Sequence, residues 1–259
     1  AASDVYKRQA MRKALALSLL AVLLGGCASE PAPRDISGVW INQGAIDEAA
    51  KGGNLREALL ANGPNLEWDI DANNAKANYT NGFEWVEGKL TPGRKGAWQV
   101  AVYGSSAIEL DVQGAELVQA ASDADPQQSF VRTPLKLSSD APLGTNFEYA
   151  LKAAYLGGQW RVISGLGQGN TVTFMPDGQV KGLPNNNAYA LCMAGDCASM
   201  SGEYDSLWLQ QDEIGAAHIF VRNGNRLEIF QALDSAKPDE MPQLYPGKQE
   251  WVLEKQPAM

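Results

Sequence analysis

Short stretches in which apolar and polar residues alternate recur along most of the chain, separated by turns rich in Gly, Pro and Asn. Residues 171–174 and 179–181 flank a Pro-Asp-Gly turn, and residues 218–222 and 226–230 flank Asn223-Gly224. Alternation with period two is the pattern of a half-buried strand, and Asn-Gly favours the positive φ angles of a tight hairpin turn. These segments therefore predict two hairpins. Further strands are predicted over 66–70, 99–103 and 107–112.

A longer periodicity predicts two helices. Residues 46–61 carry apolar residues at helical spacing and end at Asn62-Gly63-Pro64, which is a helix stop signal. Gly52-Gly53 lies inside this segment, at a point where the helix can break in two. The second helix has Thr145 as its expected N-cap and Gly157 at its end. Its apolar face comprises Phe147, Ala150, Leu151, Ala154 and Tyr155.

These elements together predict a mainly β protein built from two small antiparallel β-barrel or sandwich units with one or two short helices. We expect a first β domain over 36–133, a linker over 134–144 and a second β domain over 145–257. Each domain opens on a Gly-x-Trp strand, at 38–40 and at 158–160, which indicates an internal duplication. The middle sections do not align, so two unrelated domains remain the alternative.

Both opening strands resemble those of known β-barrel families. The Gly-x-Trp strand is similar to the first strand of lipocalin-like barrels. The stretch 158–204, with its hairpin over 174–182, is similar to META-type envelope domains. Asn185-Asn186-Asn187 stands where those domains often carry a Cys-Asn pair. These resemblances imply a fold and carry no activity with them.

The N-terminal residues form the successive parts of an export signal. Met11-Arg12-Lys13 is positively charged, residues 14–24 are apolar apart from Ser18, and Leu24-Gly25-Gly26-Cys27 follows. An apolar run this short beside small residues is typical of a signal peptide and not of a spanning helix. The last four residues resemble the lipobox of bacterial lipoproteins.

The lipobox resemblance implies a signal peptide over 11–26 that is recognised through Leu24-Gly25-Gly26 and cut before Cys27. The thiol of Cys27 then carries the lipid, with acyl chains such as palmitate, and residues 27–35 form a lipidated tether. A plain secretory signal followed by a chance cysteine is the alternative.

The residues that flank the lipobox bear on destination and on the start of translation. In lipoproteins, Asp after the acylated cysteine usually favours the inner membrane, and Ala28-Ser29 stands here instead. The resemblance therefore implies the outer membrane, facing the periplasm, in a Gram-negative source, with the inner membrane as the alternative. Residues 4–9 resemble a translated sequencing adapter, so we expect residues 1–10 to be an artefact and Met11 to be the true start.

The exported part is acidic. The chain has 21 basic and 30 acidic residues, of which 17 and 29 lie at or after Cys27. Such a surface repels phosphate backbones and anionic lipid headgroups. We therefore expect no nucleic-acid partner and a membrane link made by lipid rather than by a basic patch.

Cys192 and Cys197 remain as a pair once Cys27 is assigned to the lipid. An even pair in an oxidising compartment predicts a disulfide. Their C-x4-C spacing differs from the C-x-x-C of thiol oxidoreductases, and a zinc site needs two further ligands although His218 is the one histidine of the chain.

Other motifs give weaker hints of chemistry. His218 has no nucleophile placed beside it by a recognisable motif, and Gly165-x-Gly167-x-Gly169 leads into a strand instead of a phosphate-binding helix. Asp69-x-Asp71-x-Asn73 begins like a calcium loop but lacks the required Gly and Glu. We therefore expect no catalytic residue, metal or cofactor. The alternation predicts instead that Glu67, Asp69 and Asp71 face water.

Aromatic residues are numerous, with 7 Trp and 8 Tyr. Trp40, Trp68, Trp160 and Trp251 lie in alternating strands and are predicted to fill the cores. A second set lies near Gly- or Asn-rich loops, where aromatic rings suit stacking against a ligand or glycan, although a core role is the favoured alternative. These candidate ligand-binding residues are Trp85, Trp98, Tyr189 and Trp208.

These observations favour a membrane-anchored envelope lipoprotein that acts as a non-enzymatic binding or structural module. Its expected partner is an envelope protein or a small apolar or glycan ligand. One alternative is a periplasmic inhibitor of a hydrolase, either lysozyme or a protease, because small disulfide-bearing barrel lipoproteins resemble such inhibitors and Ser201-Gly202-Glu203-Tyr204 resembles a lysozyme-inhibitor loop. Another alternative is an enzyme with an unrecognised site.

Overall fold

The first half of the chain forms a closed eight-stranded barrel. The computed structural model describes residues 32–135, 137–138 and 141–257, so the predicted signal peptide, the lipobox and Cys27 lie outside the described residues. The strands of the first barrel pair antiparallel in chain order, and β1 pairs with β8 to close it. They are β1 Gly38–Ile41, β2 Glu67–Asp71, β3 Lys76–Thr80, β4 Trp85–Pro92, β5 Trp98–Val102, β6 Ile108–Gln113, β7 Glu116–Gln119 and β8 Gln128–Arg132.

The second half forms a nearly closed barrel of the same meander type. Its eight strands pair in the order β11-β10-β9-β16-β15-β14-β13-β12, and a bridge between Gln179 and Ala188 joins the two outermost strands. The prediction of a mainly β fold with two small antiparallel units is therefore confirmed. The strands are β9 Gly158–Gly165, β10 Thr171–Phe174, β11 Val180–Lys181, β12 Ala188–Leu191, β13 Asp205–Gln211, β14 Ile214–Asn223, β15 Arg226–Asp234 and β16 Leu244–Lys255.

Four short α-helices accompany the strands in the described ranges. The predicted first helix is broken near Gly52, whose φ is +80°, into α1 and α2. Asn42 and Asn54 cap these two helices by accepting backbone hydrogen bonds from Ala45 and Glu57. None of the described helices is long and apolar enough to cross a membrane. The helices are α1 Gln43–Ala50, α2 Leu55–Leu60, α3 Thr145–Tyr155 and α4 Asp196–Ser201.

The two barrels share one arrangement around their opening tryptophans. Trp40 in β1 donates from Nε1 to the carbonyl oxygen of Ile36, four residues earlier, at 2.8 Å, and Trp160 in β9 donates to Leu156 at 2.7 Å. A cation from the last strand of each barrel lies over the ring. Arg132 lies 4.2 Å from the Trp40 ring centroid. Lys255 lies 5.6 Å from that of Trp160.

Tryptophans and other apolar side chains fill both barrels. Trp40, Trp68, Trp160 and Trp251 are all buried, as predicted. The first barrel has its own cluster of buried side chains around Trp68. The core of the second barrel also takes in α1, α2 and α3, so one continuous apolar cluster joins the helices of the first half to the second barrel.

A carboxylate of the first barrel caps the helix that opens the second half. Glu67 accepts hydrogen bonds from the backbone nitrogens of Gly144 at 3.0 Å and Phe147 at 2.7 Å, at the start of α3. Only 1% of its surface is exposed, so the prediction that it faces water is wrong. Thr145 is the first residue of α3 and not its cap, because Gly144 holds the N-cap position. The start of α3 lies against the first residue of β2, a contact that the local alternation cannot reveal.

A carboxylate of the second barrel caps a helix of the first half in return. Asp205 in β13 accepts from the backbone nitrogens of Leu55 at 2.5 Å and Arg56 at 3.2 Å, at the start of α2. A carboxylate at a helix N-terminus satisfies unpaired N–H groups and complements the helix dipole. These two reciprocal caps hold the halves together.

Candidate functional site

A surface groove of about 570 Å³ lies where α2 of the first half meets α4 of the second. It joins a smaller depression of about 130 Å³ through Leu60 and Met193, which line both. We call the two together the seam groove. Its lining includes Glu57, Leu60, Met193, Ala194, Ala198 and Glu203.

Leu60 presents a large, exposed apolar side chain in the seam groove. Helix α2 turns Leu55, Ala58 and Leu59 into the core, and this leaves Leu60 at the end of the helix with 69% of its surface exposed. Phe83, from the loop between β3 and β4, lies so close to Gly195 that a Cβ there would overlap its ring. Phe83 is itself about half exposed. Leu60 lines the groove and Phe83 lies against Gly195, which also lines it, so two exposed apolar side chains stand near the groove, a feature common at interaction surfaces.

The walls of the seam groove are fixed by covalent and polar contacts. The predicted disulfide between Cys192 and Cys197 is confirmed and ties the start of α4 to the end of β12. The guanidinium of Arg56 donates to the carbonyl of Ala198 at 3.1 Å, to that of Tyr204 at 2.8 Å and to that of Gly202. Both ends of α4 are therefore anchored, and the groove is preformed.

Arg56 is also the partner of Asp205. Its Nε lies 3.6 Å from the Asp205 carboxylate and makes no hydrogen bond within the described chain. Burial raises the pKa of Asp205, and the hydrogen bonds from Leu55 and Arg56 act against that rise. Arg56 lines the groove, but its charge is balanced by the Asp205 carboxylate beside it.

The rim of the seam groove is negatively charged. Glu57 and Glu203 line it, and Asp196 stands exposed beside it at the first residue of α4. No lysine lines the groove in the described part of the chain, and the arginine that does is turned inward. The arrangement favours a ligand with an apolar side chain between positive charges.

The structure does not bring the four candidate ligand-binding aromatics together. Trp85 is the first residue of β4 and pairs with Thr80, whereas Trp98 is the first residue of β5 and pairs with Pro92 at the far end of β4. Trp85 is exposed, whereas Trp98 is half-buried and donates to the carbonyl of Arg34 at 2.8 Å. Each of these two aromatics therefore stands without the other.

The other two aromatics lie on opposite faces of the second barrel. Tyr189 is buried in the core and donates from its hydroxyl to the carbonyl of Met175 at 2.9 Å. Trp208, on the adjacent strand, is exposed. The sequence does not single out Leu60, because the pattern of an apolar residue at the end of a helix is the same whether the residue is exposed or part of the core.

The motifs weighed for catalysis or metal binding have local structural partners. His218 contacts the Glu250 carboxylate at 2.9 Å through Nε2 and the carbonyl of Ala216 at 3.1 Å through Nδ1. Asp71 accepts from the backbone nitrogen of Asn74 and caps a turn of the β2–β3 hairpin. Within the ranges described, no group of three or more His, Cys, Asp or Glu residues is placed to hold a metal ion.

Gly165, Gly167 and Gly169 lie at or after the end of β9, in the connection to β10, as predicted. Gly165 and Gly167 approach neighbouring atoms too closely for a side chain, whereas Gly169 faces open space.

No protein-family model matches this chain, and no curated protein or solved structure shows significant similarity to it.

Proposed function

We propose that this protein is a non-enzymatic binding module of the bacterial envelope, anchored by lipid on Cys27, that holds a protein partner at the seam groove. The support for the anchor is the sequence alone, with its charged, apolar and Leu24-Gly25-Gly26-Cys27 segments in order. The support for binding is the preformed groove. The one histidine of the chain contacts Glu250 and a carbonyl, so no base–nucleophile pair accompanies it in the described residues.

The observation that carries this proposal is the exposed side chain of Leu60 in a groove with fixed walls and an acidic rim. Burying an apolar side chain of this size contributes about 1.5–3 kcal/mol. Because the groove is already formed, little binding energy is lost in ordering it. Glu57 and Glu203 select a partner segment in which an apolar residue is flanked by Lys or Arg.

Site-specific photo-crosslinking in the source cells tests this proposal. The full-length protein carries p-benzoylphenylalanine in place of Leu60, or in place of Ile214, which is 82% exposed on the second barrel and serves as the matched control. We expect a discrete adduct from position 60 only, joined to a basic and apolar segment by mass spectrometry. The double change Glu57→Lys and Glu203→Lys should weaken that adduct. Equal labelling from both positions would overturn the proposal.

A hydrolase inhibitor remains the second candidate, favoured by one feature of the groove. The segment Ser201-Gly202-Glu203-Tyr204 is held by the guanidinium of Arg56 through two carbonyls and presents Glu203 to solvent. A loop fixed in advance binds a rigid cleft at low entropic cost. Turbidity assays with lysozyme separate the two ideas, because an inhibitor protects a cell-wall suspension and Glu203→Ala reduces that protection. Lysis at full rate with the protein in excess removes this candidate.

A further inference from the structure

A second concave site lies at one end of the first barrel, away from the seam groove. The loop between β5 and β6 and the loop between β7 and β8 surround a cleft of about 680 Å³. Asn65, Tyr79 and Gln119 line it from the barrel side. Trp68 lies directly beneath, with its ring centroid 4.7 Å from that of Tyr79, so the cleft ends on a packed floor.

The side chain of Gln119 is fixed with its amide nitrogen free. Its Oε1 accepts from Nε1 of Trp68 at 3.3 Å and from Nδ2 of Asn65 at 3.0 Å. An indole N–H can only donate, so the atom facing Trp68 is the oxygen, and the orientation of the amide follows. Only 4% of Gln119 is exposed, and its Nε2 donates no hydrogen bond within the described part of the chain. Gln119 lines the cleft, so a ligand in the cleft can accept a hydrogen bond from that nitrogen.

Asn65 supplies the complementary acceptor. It is 5% exposed, its Nδ2 is committed to Gln119, and its Oδ1 accepts no hydrogen bond among the residues that the structure describes. A hydroxyl group donates one hydrogen bond and accepts others. A ligand hydroxyl can therefore donate to Oδ1 of Asn65 or accept from Nε2 of Gln119. Neither atom is sealed from solvent, so both are accessible to a ligand in the cleft.

The remaining lining is polar and negatively charged. Ser105, Ser106 and Ser122 bring hydroxyl groups, and Glu109, Asp123 and Asp125 bring carboxylates. No lysine or arginine lines the cleft in the ranges described. Phosphate and carboxylate ligands are therefore disfavoured by repulsion.

We propose that this cleft binds a saccharide without acidic groups, whose hydroxyl groups bind Asn65 Oδ1 and Gln119 Nε2. Carboxylates and serine hydroxyls around the cleft bind further sugar hydroxyls, and the exposed part of the Tyr79 ring contacts the apolar face of the sugar. This site is independent of the seam groove and of the partner proposed for it.

Nuclear magnetic resonance of the ¹⁵N-labelled protein, residue 27 onwards with Cys27→Ser, tests the proposal. The probes are chitotriose and maltotriose, with trigalacturonate as the acidic counterpart. We expect at least one neutral sugar to shift the side-chain amide resonances of Gln119 and Asn65 in a saturable way, and trigalacturonate to leave them in place. Failure of both neutral sugars to shift these resonances at about 10 mM would overturn the proposal, since the Kd would then lie well above 10 mM, or binding weaker than about 2.7 kcal/mol.

Two variants give independent checks. Gln119→Glu keeps an oxygen for Trp68 and Asn65 but removes the donor, and we expect affinity to fall about tenfold. Ala107→Arg fills the cleft from its exposed rim without touching the core, and we expect it to abolish binding even if the first variant folds poorly. Gln211→Glu makes the same chemical change on the exposed surface of the second barrel and should leave affinity unchanged. Wild-type affinity in Ala107→Arg would contradict the site.

Discussion

At the scale of single residues, Glu67 caps a helix with its carboxylate, and its burial there makes the carboxyl group harder to ionise. Desolvation raises its pKa above the ordinary 4.5, and the hydrogen bonds from Phe147 and Gly144 only partly oppose this. A carboxyl whose pKa is higher in the folded than in the unfolded protein contributes stability that is complete below the unfolded value. That contribution is lost as the pH rises through the folded value.

Glu67→Gln makes this contribution measurable. The free energy of unfolding of the wild type, relative to that of Glu67→Gln, is expected to be largest below pH 4.5 and to decline as the pH rises, because only the wild type ionises there. Urea denaturation at a series of pH values measures it. Glu87→Gln, on the exposed surface of β4, makes the same change of residue type and is the control. A relative stability that grows with pH would show that the hydrogen bonds outweigh desolvation.

The sequence was informative about residues wherever the local pattern decides burial. Four tryptophans in alternating strands are in the core as predicted. Glu67 was predicted wrongly because its burial depends on α3, which is 80 residues later in the chain. Gln119 and Asn65 carry no local signal, since nothing in a sequence says that two amides share one hydrogen bond in a barrel mouth.

At the scale of elements, α4 and the disulfide loop before it form the contact between the barrels at the seam groove. Gly195 caps α4 with φ +73°, and its backbone lies against the ring of Phe83. The sequence predicted the disulfide from the pairing of cysteines alone. It gave no sign of this contact, because the glycine and the phenylalanine belong to different barrels.

Gly195→Ala tests that contact. The new Cβ must displace the Phe83 ring, and the alanine must adopt a positive φ angle. We therefore expect a loss of about 1–3 kcal/mol in the free energy of unfolding. Gly169→Ala is a matched control, because Gly169 has φ +90° but open space around it. Guanidinium denaturation should show the larger loss for Gly195→Ala, and Phe83→Ala should remove the difference. Equal losses in the two glycine variants would mean that the ring contact contributes nothing.

At the scale of the whole molecule, the proposed anchor determines where the seam groove works. Cys27→Ser removes the acyl acceptor while leaving the described fold untouched. Several acyl chains hold a protein stably, since each buried methylene contributes about 0.8 kcal/mol. We expect the variant to move from the membrane fraction to the periplasmic fraction, as detected by immunoblotting. Cys192→Ser with Cys197→Ser is the control and should stay in the membrane fraction, and retention of Cys27→Ser there would contradict the lipid anchor.

The two barrels are also expected to unfold as one unit, because their contacts are reciprocal. Glu67 caps a helix of the second half, Asp205 caps a helix of the first, and a single apolar cluster spans α1, α2, α3 and the second barrel. Opening either barrel therefore exposes carboxylates and apolar surface that belong to both. Sequence reasoning predicted two units but could not predict this coupling, which arises only where distant segments meet.

Hydrogen exchange read by mass spectrometry in increasing guanidinium follows the strands of each barrel separately. In the wild type we expect peptides from β2–β5 and from β13–β15 to lose protection at the same denaturant concentration. Arg56→Ala with Asp205→Ala removes one cap and its partner, and should separate the two transitions by destabilising the second barrel first. Glu213→Ala, an exposed carboxylate of that barrel, should leave them coincident. Separate transitions in the wild type would mean that the seam is a docking contact between independent domains. The seam groove would then open and close as the two domains separate and dock.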